Sequence, residues 1–136
     1  MHTYNLIESI LFPPISFNEG KLRKTLQGKS ILITGASSGI GEHLAIFLSK
    51  LEIELQLILV ARRGEKLEVL KQSLESESIT IHIIRADLRV QEDMDHLLEF
   101  LHKLPAGLDI VVNNAGLSIN RSILQSMDRF HDFTRT

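Results

Sequence analysis

The chain has 136 residues, with 15 Lys+Arg against 17 Asp+Glu for a formal charge of −2, 43% apolar residues, 5% aromatic and no cysteine. That length suits one domain of roughly 100–200 residues, able to bury about two-thirds of its unfolded surface, and excludes two full-sized ones. Without cysteine there is neither a disulfide framework nor a thiolate metal site, and the near-balanced charge lacks the basic footprint of a nucleic-acid binder, so composition predicts a soluble, cytoplasmic, globular protein.

Residues 1–12 are partly apolar, but Glu8 and Ser9 interrupt them and Pro13-Pro14 ends them, so they do not read as a signal peptide. A short helix is predicted over residues 3–11, and the two prolines then impose extended backbone before a second short helix around Glu19 to Leu26. Residues 1–28 thus read as an N-terminal extension, ahead of a repeating pattern over 29–136. The best membrane candidate, residues 57–61, is far short of the roughly 20 apolar residues that a spanning helix needs.

Ile31-Leu32-Ile33-Thr34, ended by Gly35, reads as a strand buried on both faces. Ile40, Leu44, Phe47, Leu48 and Leu51 recur at spacings of three and four, which predicts a helix. Leu55 to Ala61 is a second buried strand, and Leu67, Leu70 and Leu74 mark a second helix. Residues 79–84 are a third strand, in which isoleucines alternate with Thr80 and His82. Met94, Leu97, Leu98, Leu101 and Leu104 give a third helix, and residues 108–112 a fourth strand. Strands separated by helices make crossover units, so the fold class is α/β with a parallel, doubly wound sheet.

Gly35-Ala36-Ser37-Ser38-Gly39-Ile40-Gly41 sits between the first strand and the first helix of this pattern. Glycines there permit a tight turn, a close approach of backbone to a pyrophosphate and close helix–sheet packing, while the helix N-terminus offers unpaired N–H groups. The alternative is a tight turn with no ligand. In this context Thr34-Gly35-x-x-x-Gly39-Ile40-Gly41 resembles the cofactor-binding signature of the short-chain dehydrogenase/reductase family. Asp87-Leu88, after the third strand, is similar to that family's adenine-contacting pair, and Asn113-Asn114-Ala115-Gly116, after the fourth, to its Asn-Asn-Ala-Gly motif. The resemblance covers residues 29–116 and implies a Rossmann-type sheet in the order 3-2-1-4, with Asp87 near the adenine amino group and the asparagines tying strands together and lining the ribose. On the residues alone, Asp87 also suits a turn or a helix cap, and the asparagines suit turns.

Dinucleotide folds that bind NAD carry an acidic residue about 20 positions beyond the glycines. Counting from Gly41 reaches Ala61, followed by Arg62 and Arg63, with no carboxylate to accept from a ribose 2′-hydroxyl. Charge-assisted bonds from guanidinium to phosphate predict a preference of about ten- to hundredfold for NADP(H) over NAD(H), with Arg62 mattering more than Arg63. The alternative pairs these arginines with Glu65 or Glu68 on the surface.

The family's chemistry implies a tyrosine, a lysine four residues later, a serine and a helix asparagine. Tyr4 is the only tyrosine, Glu8 stands four residues beyond it, and Ser118, Ser122 and Ser126 follow the Asn-Asn-Ala-Gly motif too closely to be the catalytic serine. No catalytic residue is therefore assigned, and the expected description is the cofactor-binding portion of an NADP-dependent carbonyl–alcohol oxidoreductase, truncated after about four strands and inactive alone. The alternatives are a non-catalytic nucleotide-binding or regulatory module and an inactive gene fragment. Residues 110–112 would then form an unpaired apolar edge, which predicts self-association of the isolated chain. No metal site is expected, since Asp93, Asp95, His96 and His102 lack ligand spacing on a helix and read as a solvated face. His82 reads as a partly buried or edge histidine.

Overall fold

The computed structural model describes residues 18–116; the predicted helix at 3–11, Tyr4, and the serines at 118, 122 and 126 lie outside the described residues. The elements run α1 (Glu19–Leu26), β1 (Lys29–Thr34), α2 (Gly39–Ser49), β2 (Leu55–Ala61), α3 (Gly64–Leu74), β3 (Ile79–Arg85), α4 (Gln91–His102) and β4 (Ile110–Val112). The first helix is started by Asn18, whose side chain accepts from the Lys21 N–H at 2.9 Å, and its ends carry charges that suit the helix dipole, Glu19 first and Arg23 and Lys24 last.

The four strands pair in parallel in the order β3-β2-β1-β4. Parallel pairing is what the alternation of strand and helix predicts, and the order is the one that the family resemblance implies. Strand residues alternate between two layers. Ile31, Ile33, Leu57, Leu59, Ile79 and Ile81 join Leu26, Ala45, Leu48, Leu67 and Leu70 in the larger cluster, beneath α1, α2 and α3. Leu32, Ile58 and Val60 enter the opposite layer with Leu97 and the partly buried Phe100 and Leu101 of α4. The central strand β2 feeds both layers, which explains its nearly unbroken apolar run.

Two predicted faces are rotated. In α2 the buried residues are Gly41, Ala45 and Leu48, whereas Ile40 is 78% exposed and Phe47 is exposed. The small residues Gly41 and Ala45 let the helix approach the sheet closely, so it turns that side inward and the bulkier flank outward. In α4, Leu98 is likewise exposed beside the buried Leu97. The last strand begins at Ile110 rather than at 108, because Leu108 packs into the layer under α4. His82 is half-buried on the edge strand β3, with its ring 5.3 Å from that of Phe100 and its Nε2 2.9 Å from Gln56 Nε2, as expected for an edge histidine.

The region read as an extension is not wholly separate. Leu26 is buried in the larger cluster, and the Gly28 N–H donates to the Glu54 carbonyl at 2.7 Å. Among the described residues no helix is long and apolar enough to cross a membrane.

Candidate functional site

Register brings the strand ends together: Thr34 pairs with Val60, Ile33 with Val112, and Ala61 with Arg85. The loops after all four strands therefore open on one edge of the sheet. Strand order reverses between β1 and β4, and in open parallel sheets that reversal makes a crevice at the carboxyl ends of the strands.

The glycine turn lies at this crevice. Gly35 (φ +67°) and Gly39 (φ +60°) occupy the left-handed region that glycine tolerates best. A Cβ on Gly35 would stand 2.9 Å from the Ala115 Cα, and one on Gly41 would stand 2.6 Å from the Gly35 carbonyl oxygen and 2.7 Å from Asn114 Nδ2. These two glycines let the protein's own loops close on each other. Around Gly39 a Cβ would meet nothing within 4 Å among the described residues, so its backbone is open on that side to the rest of the described structure. Ser38, which precedes α2, makes no capping bond with its side chain, and the first N–H groups of that helix keep their partial positive charge toward the crevice.

Thr34 joins the turn to the loop after β4. Its buried hydroxyl donates to the Val112 carbonyl at 3.3 Å and accepts from the Asn114 and Ala115 N–H groups at 3.0 and 2.9 Å. The Asn114 amide donates in return to the carbonyls of Thr34, at 3.1 Å, and Gly35, at 3.4 Å. Asn114 is thus the strand-tying asparagine of the pair, while Asn113, Ala115 and Gly116 are exposed at the rim.

Both predicted arginines follow β2, but they point to different partners. Arg63 reaches back to the glycine turn: Nη2 donates to Ser38 Oγ at 2.6 Å and to Ser37 Oγ at 3.2 Å, and Nε to Ser37 Oγ at 3.3 Å. Arg62 is exposed and acts at longer range, its charge adding to those that hold Asp87 ionised. The alternative pairing of the two arginines with Glu65 or Glu68 is not formed.

Asp87 stands beside the end of β2, because the Ala86 N–H donates to the Ala61 carbonyl at 3.0 Å. Its Oδ1 accepts from Arg89 Nε at 2.9 Å and from the Arg89 N–H at 3.1 Å, and its Oδ2 accepts from Arg89 Nη2 at 2.6 Å. The bonds from the Arg89 guanidinium and backbone hold the Asp87 carboxyl well below the usual carboxylate range, and the charges of Arg89 and Arg62 add to the effect. Asp93 is half-buried, and its Oδ2 accepts from the Asp87 N–H at 2.7 Å. Asp93 is therefore not part of a solvated face: in the first turn of α4 its carboxylate meets the N–H of a chain that has just left β3. Leu88 packs into the layer under α4.

Arg89 was not singled out by the sequence, and Asp93 was read only as part of a solvated face. The available signal was the Asp-x-Arg spacing of Asp87 and Arg89, which suits a turn in which an aspartate accepts from the backbone two residues on. Among the described residues, no group of three histidine or carboxylate side chains is placed to hold a metal ion.

Comparison with known proteins agrees with this geometry. The family model described as short chain dehydrogenase matches residues 29–135. A fatty acyl-CoA reductase of Acinetobacter baylyi is 40% identical over 118 residues, which cover 87% of this chain and 39% of that protein. A short-chain dehydrogenase from Sphingobium yanoikuyae, solved in complex with NADPH, superposes with a TM-score of 0.62 at 34% identity, over 71% of this chain and 37% of its own. L-Sorbose reductase from Gluconobacter frateurii, complexed with NADPH and L-sorbose, gives a TM-score of 0.64 at 33% identity, over 74% of this chain and 38% of its own. The chain thus spans well under half the length of these relatives.

Proposed function

Because this chain belongs to the short-chain dehydrogenase family, we propose that residues 29–116 form the NADP-binding part of a carbonyl–alcohol oxidoreductase. The observation that carries the reading is Arg63. Where an NAD-binding fold would present a carboxylate to the adenosine ribose, this chain presents a guanidinium bonded to both serines of the glycine turn. A guanidinium fits a 2′-phosphate in charge and in hydrogen-bond geometry, and the two serine hydroxyls hold it where that phosphate would arrive.

The other residues fit the rest of the dinucleotide. The open space at Gly39 and the uncapped N-terminus of α2 suit the pyrophosphate, with Gly35, Ser37, Ser38, Ile40 and Gly41 shaping the turn. Asp87 offers an acceptor to the adenine amino group, with Leu88 beside it. Asn113, Asn114, Ala115 and Gly116 line the ribose side, where Thr34 and the Asn114 side chain fix the loop. The exposure of Ile40 at the start of α2 is consistent with a surface that a cofactor covers. When bound, the nicotinamide supplies or accepts hydride; the residues of this chain bind and orient it.

Titration of the protein with NADPH and NADH tests the reading. NADPH is expected to bind about tenfold or more tightly, and Arg63→Ala to remove most of that preference, with Arg62→Ala removing a smaller part; this reverses the ranking expected from the sequence, because Arg63 and not Arg62 reaches the glycine turn. Equal affinity for the two cofactors would overturn it.

A further inference from the structure

We propose that Arg89 is a positioning residue, one that fixes Asp87 so that a single open acceptor on Oδ2 selects an adenine over a 6-oxopurine. The inference rests on the reading of Asp87 as the adenine-facing group and names the residue that makes it selective.

An ionised carboxylate offers about four lone-pair positions. On Asp87, Oδ1 takes two donors, both from Arg89, and Oδ2 takes one. The position left open is therefore on Oδ2. The side chain has little freedom to present another, because the guanidinium grips both oxygens and the Asp93 carboxylate holds the Asp87 N–H. The Asp87 side chain remains 24% exposed, so the open position is reachable.

The charge balance points the same way. A bare carboxylate would repel a dinucleotide carrying several negative charges, whereas the Asp87–Arg89 pair is neutral and still accepts one hydrogen bond. An exocyclic amino group donates to that acceptor. A carbonyl oxygen at the same ring position has nothing to donate and would face Oδ2 as one acceptor faces another, leaving both unpaired. Without Arg89, Asp87 could turn away from a carbonyl and let water mediate, so discrimination between the bases would fall even where the fold is unchanged.

The test measures, in the full chain at neutral pH, the affinities of NADP+ and its hypoxanthine analogue, which carries a carbonyl in place of the amino group. The wild-type protein is expected to prefer NADP+ by about tenfold, Arg89→Ala to bring the ratio within about twofold, and Arg89→Lys, which keeps the charge and loses the fork, to fall between. Asp87→Asn should abolish the preference. Unchanged far-UV circular dichroism and thermal midpoint identify the variants as folded. If Asp87→Asn abolishes the ratio and Arg89→Ala keeps it, Arg89 is a surface ion pair only and the proposal is overturned while the adenine role of Asp87 stands. If Asp87→Asn keeps the wild-type ratio, Asp87 does not read the base, and both fall.

Discussion

At Gly41 an added Cβ would stand 2.6 Å from the Gly35 carbonyl oxygen, a backbone atom that cannot give way as the end of a flexible side chain would. Gly41→Ala is therefore expected to cost about 1–3 kcal/mol of stability by overpacking. Gly39→Ala meets no atom and pays only for its left-handed backbone, about 1–2 kcal/mol, yet it places a methyl in the space assigned to the pyrophosphate. Urea denaturation alongside NADPH titration separates the two: Gly41→Ala should lose mainly stability, and Gly39→Ala should lose proportionately more affinity. Thr34 is a third case. Replacing it by valine removes the oxygen that accepts from two backbone N–H groups of the loop after β4, at an expected cost of about 1–3 kcal/mol. Faster amide hydrogen exchange at Asn114 and Ala115 than in the wild type is the corresponding observation.

Between elements, the two ends of the β1–β4 pair are secured differently. At the crevice end Thr34 and Asn114 bond to each other's backbone. At the opposite end Asp109 accepts from Lys29 Nζ at 2.8 Å and from the Ser30 N–H at 2.9 Å, while its own N–H donates to the Ser30 carbonyl at 3.0 Å. The Lys29 bond, and then the Ser30 N–H, lower the Asp109 carboxyl below its ordinary range. A carboxylate whose pKa is depressed on folding adds stability above its unfolded value, near 3.9, and that contribution is lost as pH falls through the folded value. Asp109→Asn should therefore destabilise the protein at neutral pH, and the difference from wild type should shrink below about pH 4. Denaturant midpoints measured from pH 3 to 7 check the sign. The α2 helix shows another limit of element-level reading. Its apolar periodicity correctly predicts a helix but not which flank of the stripe faces the sheet, because Gly41 and Ala45 contribute little hydrophobicity while permitting the closest approach.

For the whole molecule, β2, like β1, contributes side chains to both layers. Leu57 and Ile58 are fully buried neighbours that point to opposite faces, Leu57 into the layer beneath α1, α2 and α3 and Ile58 into the layer beneath α4. Truncating either to alanine is expected to cost about 2–5 kcal/mol. Circular dichroism and hydrogen exchange should report one shared unfolding transition in each variant, since neither layer can be lost without disturbing the strand that carries the other. The strand and helix sequence, the parallel sheet and the glycine turn were legible because period-two and period-3.6 patterns and backbone-permissive residues are local signals. The family motifs were legible at Thr34, Gly35, Gly39, Gly41, Asp87 and Asn114 for the same reason. What the sequence by itself determined was the set of elements, their order along the chain and the residue types gathered at the strand ends. The Arg89 grip on Asp87 is local and had its signal in the Asp-x-Arg spacing, whereas tertiary structure alone decided that Arg63 reaches the serines of the glycine turn and that Gly41 rather than Ile40 faces the sheet. Those outcomes depend on where side chains from separate loops meet once the register is set, and no spacing along the chain encodes that distance.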